Sequence, residues 1–204
     1  IARWSSEGPV KPGAEPTSRI LVENNLFERF GEACDFAERG RGGFMFQVAG
    51  RDFTFRHNTA WNDEMMISLT KPHCDNLLFL DNLVTPGNYG IHCDGGGGAW
   101  NGGLGTHLLG RCRMEGNAII RTGSDRARKI DPGGYPPENL WFDSFTAAGV
   151  DAGAYRLLPS SKVKGAASDG TDPGADVDAV MAATSGVPAQ VVPGERLLRT
   201  NRSD

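Results

Sequence analysis

The amino-acid sequence predicts an all-β chain whose short strands stack turn upon turn as a parallel β-helix, and three observations predict it. An alternating apolar pattern recurs four times around an asparagine. Those asparagines are 33, 24 and 35 residues apart, a unit of about two dozen residues lengthened twice by insertion. Finally, 28 glycines and 12 prolines among 204 residues make about one residue in five, against an average near 12%. That composition suits many short strands joined by turns and excludes a helical bundle.

The four repeats are RILVENNLF around Asn25, DFTFRHNTA around Asn58, NLLFLDNLV around Asn82 and CRMEGNAII around Asn117. Five residues before each asparagine stand Ile20, Phe53, Leu77 and Cys112. Three before stand Val22, Phe55, Phe79 and Met114, and two after stand Phe27, Ala60, Val84 and Ile119. This is the period-2 signature of a strand with one buried face. The asparagine itself falls at a turn between two strands, since it tolerates left-handed backbone and bonds nearby backbone groups. Stacked at the strand spacing of about 4.8 Å, the four amides would bond one another as a ladder. FMFQVA (44–49), MMISLT (65–70) and YGIHC (89–93) read as further strands, while 31–43 and 93–107 read as inserts between coils. A sandwich also has many short strands, but it would not repeat an asparagine at one fixed offset.

The expected organisation is one domain of about five coils over residues 1–183, followed by an extended tail, 184–204. Within the domain, 1–18 reads as an incomplete first coil with its loop, and further coils or a capping partner are expected upstream of Ile1. Segment 140–183 reads as a closing cap that ends in a short helix over 175–183. No run approaches the roughly 18 apolar residues of a membrane span. With 21 Lys and Arg against 25 Asp and Glu, the net charge of −4 leaves no basic footprint for nucleic acid. No signal-peptide pattern is visible. Cys34, Cys74, Cys93 and Cys112 allow three full pairings, so disulfides and free thiols both stay open.

The stretches RILVENNLF, FTFRHNTAW, NLLFLDNLVTPGNYGI and YRLLPSSKVKGAASDGTDPGADVDAV resemble the C-terminal part of right-handed parallel β-helix proteins of the pectate-lyase-like superfamily. More narrowly, they resemble large secreted bacterial members of unassigned activity. The resemblance covers about residues 19–182. It implies a right-handed parallel β-helix whose final stretch closes the last coil, and an extracytoplasmic setting (secreted, periplasmic or cell-surface). It is weak for activity, because this fold carries lyases, hydrolases, epimerases, adhesins and proteins without known chemistry. The Asn-Thr-Asp, Asp-Asp, Gly-His-Gly and Arg-Ile-Lys series of polygalacturonases does not occur in the sequence.

Candidate functional residues follow from the outward positions. One residue before each ladder asparagine stand Asn24, His57, Asp81 and Gly116. Stacking puts His57 beside Asp81, with Arg56 near, a pair suited to general acid–base chemistry; the plainer reading is a turn hydrogen bond or a surface pair. Glu23 and Arg56 should meet as a surface ion pair. Leu21, Leu78 and Leu80 face outward and call for a cover, which the aromatic closing segment is expected to supply. Trp61, Tyr89 and Trp100 are candidates for stacking on a sugar ring. Asp169, Asp172 and Asp176 superficially form a calcium loop, but lack the spacing and the terminal Glu of an EF-hand; otherwise no cofactor is expected. The repeated His-Cys-Asp, at 73–75 and 92–94, is separated by less than a coil and should fall on two different faces. The functional expectation is a non-catalytic structural or interaction module that contacts other protein chains or polysaccharide, with an accessory subunit of a larger assembly as one form of it. The alternative is a polysaccharide lyase or glycoside hydrolase with part of its machinery in coils upstream.

Overall fold

Alternating branched and aromatic residues put one row of side chains on each face of an extended chain, and in the computed structural model such rows stack in three parallel sheets. The structure describes residues 17–27, 43–47, 50–62, 65–69, 74–93 and 108–186. Each repeat visits the sheets in the same order. The first supplies β1 (Thr17–Glu23), β2 (Leu26–Phe27) and β3 (Gly43–Gln47); the second supplies β4 (Gly50–Arg56), β5 (Thr59–Ala60) and β6 (Met65–Leu69). The third supplies β7 (Cys74–Leu80), β8 (Leu83–Val84) and β9 (Ile91–Cys93), and the fourth β10 (Leu108–Leu109), β11 (Arg113–Glu115) and β12 (Ala118–Ile120). One sheet runs β1-β4-β7 and then β10 and β11, both on β7; the third runs β3-β6-β9. In the second sheet the order is β2-β5-β8-β12, ending on β13 (Leu140–Phe142). Every pairing within these three sheets is parallel. The arrangement is all-β with parallel sheets and compatible with a β-helix; the sheets are not closed.

The registers match the sequence alignment. Ile20 pairs with Phe53 and Phe53 with Leu77; Val22 pairs with Phe55, Phe55 with Phe79, and Met114 with Phe79. These side chains join Ala60, Val84 and Ile119 of the second sheet and Ile67, Leu69 and Ile91 of the third in one buried cluster. The described parts of the two His-Cys-Asp copies fall on different sheets as expected, Cys74 and Asp75 on the first and His92 and Cys93 on the third; His73 and Asp94 lie outside the described residues. Cys74 is a buried free thiol. Its Sγ environment includes Cys112, whose thiol lies 3.8 Å from the Cys74 carbonyl. Burial, then Cys112 and Asp75, push the Cys74 thiol up to about 12. Cys34 and the side chain of Cys93 lie outside the described residues.

The strands of the first sheet are not continuously alternating. Arg19, Asp52 and Asn76 have φ near +58°, +60° and +56°, and the pairing skips them, so two successive residues face outward before alternation resumes. In the fourth repeat the same position gains a residue, and the strand splits into β10 and β11 around Gly110–Cys112.

Asparagine amides, buried in every rung but the first, tie the repeats together. Asn25 Nδ2 donates to Asn58 Oδ1 at 3.0 Å, Asn58 to Asn82 at 3.0 Å, and Asn82 to Asn117 at 2.9 Å. Each Oδ1 also accepts the backbone N–H of the preceding asparagine, at 3.1, 3.0 and 2.8 Å. The remaining amide hydrogens go to strand carbonyls, as Asn82 to Phe55 and Asn117 to Phe79. Buried amides are stable only when so paired. The ladder has a fifth rung, Asn139, which accepts from Asn117 Nδ2 at 2.8 Å and donates to the Met114 carbonyl. Asn139 starts the short run into β13.

Beyond β12 the chain makes a one-turn helix, α1 (Asp125–Arg128), capped by Ser124, and a 3₁₀ turn over Pro132–Gly134. After β13 come α2 (Phe145–Ala148), a small antiparallel pair β14 (Val150–Asp151) and β15 (Arg156–Leu157), and α3 (Val177–Thr184). α3 matches the expected closing helix, with Asp176 as its N-cap.

The closing segment covers a different face from the one anticipated. Its Phe142, Phe145, Leu157, Ala148, Val150 and Val163 pack on Leu83, Ala118 and Ile120, the outward row of the second sheet. Leu21, on the first sheet, stays 56% exposed. The residues flanking each ladder turn explain this. Leu83-Val84, Ala118-Ile119-Ile120 and Leu140-Trp141-Phe142 are continuous apolar runs, the pattern of a sheet buried on both faces.

Candidate functional site

The chain must turn sharply before each ladder asparagine, and the residue there takes left-handed backbone: Asn24 (φ 53°), His57 (49°), Asp81 (57°) and Gly116 (66°). Asn, Asp, His and Gly are the types that tolerate it. Identical backbone in successive repeats stacks these residues in a column along one edge of the second sheet. Segment 168–176 runs back along that column, toward the first repeat.

Contact by contact, the segment engages the column. The Ser168 N–H and Oγ–H donate to Asp81, at 2.5 Å to Oδ1 and 2.8 Å to Oδ2. His57 Nε2 lies 3.0 Å from Asp169 Oδ2 and 3.9 Å from Asp81 Oδ2. The Gly174 N–H donates to the Asp81 carbonyl, the Ala175 N–H to Thr59 Oγ1, and the Asp176 N–H to Asn24 Oδ1 at 2.7 Å. Two glycines make this approach feasible. A Cβ on Gly116 would collide with Asp81 Oδ1 and the Ser168 nitrogen, and one on Gly174 would collide with Leu83 and Thr59.

The structure therefore brings His57 and Asp81 together, as stacking requires, and adds Asp169, which is 112 residues from His57. Asp81 is only 3% exposed and Asp169 lies at the surface. Hydrogen bonds from the Thr171 hydroxyl and N–H, at 2.6 and 2.9 Å, hold the Asp169 carboxyl down at about 2, with His57 adding a smaller pull. Arg56 is drawn away from this group to Glu23, at 2.6 Å, the expected surface pair. Such a pair contributes at most about 1 kcal/mol.

The three acids of the calcium-like stretch are not brought to one point. Asp172 pairs with Lys164 Nζ at 3.0 Å and accepts the Gly165 N–H at 2.8 Å. Burial pushes the Asp172 carboxyl up, but those two partners together hold it below its ordinary value. Asp176 accepts the Ala179 N–H as helix cap. Among the described residues, the group of three ionisable side chains whose ligand atoms lie within 4.8 Å of one another is His57, Asp81 and Asp169.

The aromatic candidates are also dispersed. Trp61 stacks on Tyr155 at 5.3 Å, meets Phe145 edge-on at 4.8 Å and donates its N–H to the Ala152 carbonyl. Its ring thus anchors the closing segment. Tyr89 accepts from Arg126 at 2.7 Å and meets His92 edge-on. Trp100 lies outside the described residues. Beside the column a groove of about 830 Å³ is lined by Glu23, Asn24, His57, Tyr155, Arg156 and the turn 171–178. Its charged groups are already matched: Glu23 with Arg56, Arg156 with Asp178, Asp172 with Lys164.

Sequence reasoning missed Asn139, Ser168 and the role of Asp169. No helix among the described residues is long and apolar enough to cross a membrane. No family model, curated protein or solved structure matches the chain.

Proposed function

We propose that the chain is the closing part of a right-handed parallel β-helix of the pectate-lyase-like kind, serving outside the cytoplasm as a structural or interaction module. Parallel strands that return to the same three sheets, threaded by an amide ladder, support the solenoid reading. A right-handed path is the one parallel crossovers take.

The observation that carries the non-catalytic reading is the state of the outward column. Asp81 is buried under Ser168, and His57 is occupied by Asp169. A general acid–base pair needs an open approach to the proton it moves, and here the closing segment takes that approach. The surfaces left for a partner, another protein chain or a polysaccharide, are the groove and the leucine-bearing first sheet.

The test is incubation of the purified chain with a panel of plant and bacterial polysaccharides, with and without calcium, followed by reducing-end and unsaturated-product assays. No turnover is expected. Turnover that His57→Ala abolishes in a folded chain would overturn the reading in favour of a polysaccharide-acting enzyme.

A further inference from the structure

We propose that His57, Asp81 and Asp169 form a binding site for a divalent transition metal of the zinc class, which staples the closing segment to the repeats. The three side chains come from three separate segments: the turns before Asn58 and Asn82, and the segment that lies over them. One imidazole nitrogen and two carboxylates are the borderline donor set that zinc and its neighbours take, with a fourth position left for water. Metal–ligand bonds of about 2.0–2.2 Å around a tetrahedral ion set its ligand atoms about 3.3 Å apart. His57 Nε2 stands 3.0 Å from Asp169 Oδ2 and 3.9 Å from Asp81 Oδ2, which bracket that value. All three ligand atoms lie within 4.8 Å of one another, so side-chain rotation can bring them onto one ion.

The surroundings are built as an outer shell for such a site. Ligating carboxylates are typically fixed by hydrogen bonds from neighbours. Ser168 fixes Asp81 through both its N–H and its hydroxyl. Thr171 fixes Asp169 through the same two groups, both on Oδ1, and leaves Oδ2 turned to His57. Calcium is a poorer fit, because it takes 6–8 oxygen ligands and this group offers few beside a nitrogen. The staple does not depend on the catalytic question above: metal binding and polysaccharide turnover are measured separately and fail separately.

The experiment is titration of the chelator-stripped full chain with Zn²⁺ by calorimetry, and with Co²⁺ by its visible absorption. Limited proteolysis follows the closing segment in parallel. One ion per chain is expected, with slower cleavage within 150–186 when zinc is present. Asp169→Asn, a surface change, should weaken binding at least tenfold, and Thr171→Val, which touches only the outer shell, about tenfold. Circular dichroism confirms that both variants fold. Absence of binding by the wild-type chain at micromolar zinc overturns the proposal. So does binding of equal strength in the wild type and both variants, which would place the ion elsewhere. Binding that leaves the cleavage rate unchanged overturns the staple.

Discussion

Gly116 shows how much one residue decides. It holds the same place in the column as His57 and Asp81, at φ +66°, yet only there does Asp81 of the neighbouring repeat reach across to Ser168. A methyl group would meet both the Asp81 carboxylate and the Ser168 nitrogen. Gly116→Ala is therefore expected to cost about 3 kcal/mol, part backbone strain and part the displaced charge-assisted bonds. Urea denaturation measures it, and a cost under about 0.5 kcal/mol would mean that Ser168 does not lie over this column. At this scale the sequence was uneven as a guide. The ladder positions were readable because the asparagine recurs with apolar residues at the same offsets. Asn139 escaped because Gly134 and Pro136 stand where the other repeats carry apolar side chains. The His57–Asp169 contact had no local signal, since nothing short of the folded closing segment brings those residues together.

Among the elements, the closing segment is the one that sequence reasoning placed only in part. Its existence, its aromatic content and its final helix were legible from 140–183. Its seat was not, because attention to the outward leucines of the first sheet passed over the fully apolar runs at 83–84, 118–120 and 140–142. The first two of those runs are buried on both faces of the second sheet, and Trp61 is where the cap grips it. Trp61→Ala should destabilise the chain by about 3 kcal/mol, at the lower end for a large aromatic because the ring is only half-buried. Thermal melting measures the loss, and Trp61→Phe should recover most of it. If instead Trp61→Ala leaves stability intact and weakens binding to a saccharide, the ring serves a ligand rather than the cap. The bulges at Arg19, Asp52 and Asn76 were invisible to period-2 reading, which treats a strand as unbroken.

For the molecule as a whole, the narrow interior shared by all repeats makes stability depend on groups that must stay neutral. Cys74 is pushed up to about 12 by burial, Cys112 and Asp75. Tyr135, 3% exposed, is raised to about 12 by burial against a smaller opposing hydrogen bond from the Ile91 N–H. In the unfolded chain these groups ionise near their ordinary values of 9.0 and 10.0. Between those values and about 12 the folded state binds more protons, so stability falls as pH rises. Their contribution is complete below pH 9.0 and is lost progressively toward pH 12. The urea midpoint should decline steadily over this window, and Tyr135→Phe should flatten the upper part of the decline. A midpoint that does not change up to pH 11 would place both groups in water.

The interlocked amide ladder is the central claim, and one measurement reaches it most directly. Asn82 Oδ1 accepts both the backbone N–H and the Nδ2–H of Asn58; Asn58 Nδ2 also reaches the Val22 and Arg56 carbonyls, so Asn82→Ala leaves the buried Asn58 backbone N–H without an acceptor. That orphaned donor costs about 1–3 kcal/mol. Residue-resolved amide hydrogen exchange on the wild type and the Asn82→Ala variant should show the Asn58 amide protected like the core strands in the former. In the variant its protection should fall by at least a hundredfold, by far the largest change among neighbouring amides. An Asn58 amide that exchanges quickly in the wild type, or keeps its protection relative to its neighbours in the variant, would contradict the ladder and the stacking built upon it.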